Sequence, residues 1–132
     1  MSQPDDTRPR ILIVDDVEDN REMYAMYLEW AGYRVEATAS GTEALDLAQR
    51  LIPAVIVLDL SMPGLDGWQV CRFLKGMPGT KNIPVIALTG HALDGAEAAA
   101  RAAGCDAYLT KPCLPEDLDR EIRRLLAARR PA

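Results

Sequence analysis

The sequence predicts an α/β domain built on a parallel sheet with helices on both faces. Short, largely apolar runs recur at 11–14, 54–58, 84–88 and 106–110, and each is ended or followed by a polar side chain. Between them the spacing of apolar residues switches to the helical period, and this alternation is how βαβ units are written in sequence. Three of the runs carry almost no polar residue, as expected of strands covered on both faces.

The elements follow in order. A first strand at about 10–14 leads into a helix over 18–31, with Met23, Tyr27, Trp30 and Ala31 at helical spacing. Asp19 or Asn20 is suited to cap its start, and Gly32 ends it. Residues 33–38 alternate like a half-buried strand. A second helix over 41–51 sets Ala44, Leu45, Ala48 and Leu51 on one side, and Pro53 stops it. The third strand runs into 61–67, dense in turn-forming residues. A third helix over about 66–75 places Val70, Phe73 and Leu74 inward, and a second loop at 76–79 precedes the fourth strand. The fourth helix, about 93–103, is rich in alanine and has few large anchors; Gly104 is a suitable residue just past its end. The last helix opens at Pro115 with Glu116 and Asp117 in its first turn, where acids complement the helix dipole. Leu118, Ile122, Leu125 and Leu126 form its apolar stripe. Leu114 stands where a capping Asp, Ser or Thr is expected, which leaves the start of that helix weakly specified.

The chain has 132 residues, enough to bury one sizeable core, and is read as a leader over 1–9, a domain over 10–128 and a tail over 129–132. No stretch remains for an output domain. A net charge of −5 argues against a nucleic-acid partner. The C-terminal arginines (Arg120, Arg123, Arg124, Arg129, Arg130) read as the solvated face of the last helix. No apolar run approaches the ~20 residues of a membrane span, and the N-terminus lacks the apolar centre of a secretion signal, so a cytoplasmic location is expected. Cys71, Cys105 and Cys113 fit no disulfide or zinc pattern and are expected as reduced thiols packed like small hydrophobes.

Function should sit at the strand ends. Asp15 and Asp16 follow the first strand, Asp59 the third, Thr89 the fourth and Lys111 the fifth. Right-handed crossovers leave few doubly wound orders, and in the order 2-1-3-4-5 ligands bind beyond the carboxyl ends of strands 1 and 3. That order would bring the three carboxylates together, with Thr89 and Lys111 across from them. Gathered carboxylates repel one another and need a compensating cation. Mg2+, which takes hard oxygen ligands and retains water, suits the set, and Lys111 adds a second positive charge. Such an assembly fits phosphoryl transfer, where positioning and charge neutralisation supply most of the catalysis. Singly, an Asp or Thr after a strand is commonly a cap or turn residue; the coincidence at the ends of strands 1, 3, 4 and 5 carries the reading.

The stretches 11–16 (ILIVDD), 57–67 (VLDLSMPGLDG), 83–90 (IPVIALTG) and 104–112 (GCDAYLTKP) strongly resemble the receiver domains of two-component response regulators. The similarity covers nearly everything from Arg10 to about Ala128 and implies a flavodoxin-like receiver fold in a stand-alone, chemotaxis-type form. It implies that Asp59 is the phosphoacceptor, receiving a phosphoryl group from a histidine kinase or histidine phosphotransfer protein. It also implies that Asp16, Asp59 and the Ser61 backbone carbonyl bind Mg2+ directly and Asp15 through water. Thr89 and Lys111 would contact the phosphoryl oxygens, Tyr108 would be the aromatic switch, and Ser61 and His91 occupy positions that tune dephosphorylation. His91 on its own reads as a partly exposed loop residue. A cis bond is implied at Lys111-Pro112. Switching would alter the surface of helix 4, strand 5 and helix 5, to control a downstream target protein or relay the phosphoryl group, as a monomer or a phosphorylation-dependent dimer. The protein itself would be a signalling phosphoacceptor and not an enzyme.

Three other readings compete with this one. A flavodoxin-type nucleotide or flavin site needs a phosphate cradle after the first strand, where this chain has the acidic stretch 15–19. A Mg2+-dependent aspartyl-phosphate phosphatase needs a substrate pocket or cap insertion, for which no sequence remains. A degenerate receiver is at odds with the complete acidic set.

Overall fold

In the computed structural model, which describes residues 7–61, 67–90 and 95–128, five parallel strands form one sheet in the order β2-β1-β3-β4-β5. The elements are β1 (Arg10–Val14), α1 (Glu18–Trp30), β2 (Arg34–Thr38), α2 (Gly41–Leu51), β3 (Val55–Asp59), α3 (Gly67–Gly76), β4 (Val85–Thr89), α4 (Ala96–Ala102), β5 (Ala107–Thr110) and α5 (Pro115–Ala128). The third and fourth strands run one residue further than the apolar pattern indicates. Asp59 pairs with Leu88, and Thr89 with Thr110, so both polar residues are the last rungs of their strands.

Side-chain alternation splits the core into two layers. Ile11, Ile13, Val55, Val57, Ile86 and Leu88 face α1 and α5, against Tyr24, Leu28, Leu118 and Ile122. Leu12, Val14, Ile56, Leu58, Val85 and Ala87 face the other way, against Ala44, Ala48, Val70, Cys71, Leu74 and Ala100 of α2, α3 and α4. The buried strands read as unbroken apolar runs because both of their faces are covered.

Helix ends follow the local chemistry. Ser40 caps α2 by accepting from the Glu43 N–H, and Ile52 closes that helix at φ 44°. Gly32 and Gly104, at φ 109° and 103°, end α1 and α4 in the left-handed region that glycine enters without strain. The bond Lys111-Pro112 is cis. The arginines of α5 pair along their own helix (Arg120 with Asp117, Arg123 with Asp119, Arg124 with Glu121), as a solvated face should. Arg129 and Arg130 lie outside the described residues.

Several expectations are corrected. The buried face of α1 is Tyr24 and Leu28, while Met23 and Trp30 are exposed, Trp30 at 79%. Apolar residues lie all around this helix, so spacing alone selects the wrong stripe. Neither Asp19 nor Asn20 caps α1: its cap position is Val17, whose N–H is held by Asp15 Oδ1 at 2.9 Å. In α3 Val70 and Leu74 are buried as expected, but the third inward side chain is Cys71, and Phe73 is 53% exposed. The proposed start of α4 at Leu93 lies outside the described residues. Cys71 and Cys105 are buried free thiols as expected, and Cys113 is half-buried. Among the described residues no helix is long and apolar enough to cross a membrane.

Candidate functional site

The site is assembled by the sheet's register. Asp15 continues the β1 ladder by one rung, its N–H donating to the Thr38 carbonyl at 3.1 Å. Its own carbonyl accepts from Arg21 Nη1 at 3.0 Å, tying the strand end to α1. Asp59 ends β3, and its Oδ1 accepts the Ser61 N–H at 2.8 Å. On the neighbouring strands, the Leu60 N–H donates to the Leu88 carbonyl at 2.9 Å and the Lys111 N–H to the Thr89 carbonyl at 2.8 Å. Each polar group is thus fixed through backbone bonds before its side chain takes part.

Asp15 and Asp59 are buried, at 1% and 3% exposure, whereas Asp16 is exposed. Ligand oxygens from these three carboxylates lie within 4.8 Å of one another. Lys111 Nζ reaches Asp15 Oδ2 at 3.0 Å and Asp59 Oδ2 at 3.1 Å. Burial alone would lower the lysine pKa, but its hydrogen bonds and attraction to the two carboxylates outweigh that and hold it above the ordinary value. One ammonium against three carboxylates leaves a formal charge of −2 in a crevice whose donors are all hard oxygens. The donor set therefore fits a divalent hard cation. Tyr24 Oη donates to the Cys113 carbonyl at 2.8 Å, pinning the chain just past Lys111, and burial raises the Tyr24 phenol to about 12.

The structure brings Asp15, Asp16, Asp59 and Lys111 into one cluster as the strand-end pattern predicts. Thr89 is buried at the end of β4 beside this cluster, and Tyr108 is partly buried on β5, packed against the core layer of α2, α3 and α4. Ser61 is exposed and contributes its N–H to Asp59. His91 lies outside the described residues. Two contributors escape sequence reasoning. Arg21 lies one turn into α1 with nothing in its spacing to mark it. Gly67, read there as a turn residue, has a closer constraint: a Cβ on it would lie 2.4 Å from the Asp59 carbonyl oxygen and 2.5 Å from Leu60 Cα. Only glycine lets α3 start against the strand end that carries Asp59.

A doubly wound 2-1-3-4-5 sheet with an acidic trio and a lysine at its carboxyl edge defines the receiver class. The family described as response regulator receiver domain matches residues 11–123, and the chain belongs to that family. It is 40% identical over 102 residues to the polar-differentiation response regulator DivK of Brucella ovis, covering 77% of this chain and 83% of that protein. It is 36% identical over 118 residues to the response regulator Rre1 of Synechocystis, covering 89% of this chain and 51% of the other. Among solved structures it superposes on the Vibrio cholerae chemotaxis protein CheY4 with a TM-score of 0.85 at 32% identity, covering 90% of this chain and 99% of that one. It also superposes on the receiver domain of sensor histidine kinase PA1611 of Pseudomonas aeruginosa, with a TM-score of 0.84, 32% identity, and coverage of 92% and 99%. In that structure a magnesium ion is coordinated in the active site cleft.

Proposed function

We propose that Asp59 accepts a phosphoryl group from a phosphohistidine donor in a Mg2+-dependent step, and that the modification switches the surface formed by α4, β5 and α5. The observation that carries this reading is the pair of buried carboxylates joined by one lysine at the edge of strands 1, 3 and 5. Asp16, Asp59 and the Ser61 carbonyl would hold the ion directly, with Asp15 acting through water. When bound, Mg2+ supplies neutralisation of the charge on the transferring phosphoryl oxygens.

The chain's own residues do the rest. The Ser61 N–H on Oδ1 and Lys111 on Oδ2 fix the Asp59 carboxylate against rotation. An Asp59 oxygen attacks phosphorus, the phosphorus–nitrogen bond of the donor imidazole breaks, and an acyl phosphate remains on Asp59. Lys111 and Thr89 then hold phosphoryl oxygens. The product carries about −1.5 to −2 charge and new acceptor oxygens. Movement of Thr89 toward one of them frees space for the Tyr108 ring, biasing an equilibrium between two pre-existing conformations. Ser61 and His91 set water access and so the lifetime of the acyl phosphate.

The donor and the downstream target are proteins, a histidine kinase or phosphotransfer protein on one side and a switched partner on the other. A groove of about 470 Å3 borders Lys111, lined by Asn20, Met23, Tyr24, Pro112 and Leu114 among others. With Met23 and Leu114 exposed on its rim, it suits the docking of a donor that must deliver its imidazole to Asp59. The receiver unit is taken as 10–128, acting in the cytoplasm as a phosphoacceptor whose only catalysis is on itself. Incubation with Mg2+ and acetyl phosphate followed by intact mass tests this: one phosphoryl should be gained, and none in Asp59→Asn. Steady acetyl phosphate turnover with no modified protein would instead mark a phosphatase.

A further inference from the structure

Outside the phosphoryl site, the two buried cysteines form a second chemically competent group. Cys71, on the inner face of α3, and Cys105, between α4 and β5, have their sulfurs 3.2 Å apart, and the Cys71 thiol also lies 3.4 Å from the Ala103 carbonyl. Both belong to the core layer of α2, α3 and α4. They are separated by 34 positions in sequence, so tertiary packing alone makes them neighbours. The seam beside them is held at its Lys75 end. Lys75, one turn along α3, pairs with Asp106 at 2.9 Å, and Asp106 in turn accepts the Val85 N–H at 2.8 Å. Gly104 sits so close to Lys75 that an added Cβ would lie 2.6 Å from its Cγ.

We propose that Cys71 and Cys105 are a reversible oxidative modification site, closing to a disulfide that clamps α3 to the α4–β5 connection when the protein meets a peroxide. A disulfide has its sulfurs at about 2.05 Å, so closure requires an approach of roughly 1.2 Å, which side-chain rotation and a small shift of the connection can supply. The reaction balances in two steps. One thiolate attacks a peroxide oxygen, giving a sulfenic acid and hydroxide, which takes up the released proton as water. The second sulfur then attacks the sulfenic sulfur, the S–S bond forms, and the sulfenic oxygen leaves as a second water. Two thiols are oxidised and one peroxide is reduced.

The direction of attack follows from the pair's setting. The hydrogen bond between the two sulfurs lowers Cys71, which the Lys75 ammonium also favours as a thiolate, while the same hydrogen bond and then burial raise Cys105. Both sulfurs are covered, so entry of the oxidant depends on local opening. The α4 segment is suited to this, since it is a seven-residue helix with Ala100 as its buried residue. The clamp would restrain the C-terminal end of α4, and its formation does not depend on phosphorylation.

The test uses the full chain, treated with hydrogen peroxide, unfolded, alkylated and digested. The expected product joins the Cys71 and Cys105 peptides, two hydrogens lighter than their sum, with Cys113 alkylated. The melting temperature should rise by roughly 5–15 °C and return after dithiothreitol. Cys105→Ala should abolish both effects, and Cys113→Ser should leave both intact. Full alkylation of Cys71 and Cys105 after peroxide, a cross-link to Cys113 instead, or irreversible sulfinic acid in place of the cross-link would each overturn the proposal.

Discussion

Lys111→Met removes the ammonium from the acidic crevice while keeping an unbranched side chain of similar length. Wild-type Nζ lies 3.0 Å from Asp15 and 3.1 Å from Asp59, whose side chains are 2% and 4% exposed, against 20% for the lysine. Taking one partner from a fully buried ion pair costs about 3–5 kcal/mol. The lysine's partial exposure admits water to the crevice, which screens the two buried carboxylates and reduces the loss to roughly 2–3 kcal/mol. At about 3–5 °C per kcal/mol for a chain of this size, melting in EDTA should fall by roughly 6–15 °C. Bound at the proposed site, Mg2+ would supply the missing positive charge. Ligand at 100 times its dissociation constant stabilises either protein by about 2.7 kcal/mol, so the deficit should shrink by as much as the more negative Lys111→Met crevice binds Mg2+ more tightly, about 1.4 kcal/mol per tenfold in affinity. Thermal unfolding of both proteins in EDTA and in excess Mg2+ gives the comparison. A deficit of the same size in both buffers would refute the electrostatic account, because the lysine would then matter only for packing.

Other outcomes follow from the same geometry. Gly67→Ala should cost about 1–3 kcal/mol through overpacking and weaken Mg2+ binding, measured by fluorescence titration, because the Asp59 backbone must move away from the new Cβ. Leu28→Ala should lose about 2–5 kcal/mol in urea unfolding, while Trp30→Ala should stay within about 0.5 kcal/mol, since the former is buried and the latter exposed. Tyr24 contributes a pH dependence of definite sign. Its folded pKa of about 12 exceeds the ordinary 10.0, so its stabilisation is whole below pH 10 and is lost as pH rises toward 12. Tyr24→Phe should flatten the alkaline limb of the stability curve. Amide exchange over 95–112 should change when a phosphoryl mimic binds, and unchanged rates there would count against switching through α4 and β5.

Most of the fold was legible because burial on both faces leaves apolar runs that nothing else explains. The residues at the ends of those runs carried the site for the same reason: Asp15, Asp59, Thr89 and Lys111 are conspicuous against what precedes them. Helix faces were less legible. In α1 the apolar residues Met23, Tyr24, Met26, Tyr27, Leu28 and Trp30 surround the axis, and only docking on Ile11 and Ile13 selects Tyr24 and Leu28 as its inner side. Hydrophobicity alone points Phe73 inward, yet beside Val70 and Leu74 it is Cys71 that is buried.

By itself, the chain determined its alternation of strands and helices, the glycine stops of α1 and α4, and the polar residue delivered by each strand end, because these depend on side-chain chemistry within a few neighbours. Only tertiary structure decided which distant groups meet: Lys111 with Asp15 and Asp59, Gly67 against Asp59, Cys71 against Cys105. Those meetings are set by strand order and register, where a displacement of a few ångströms separates contact from none, and local propensity holds no record of it.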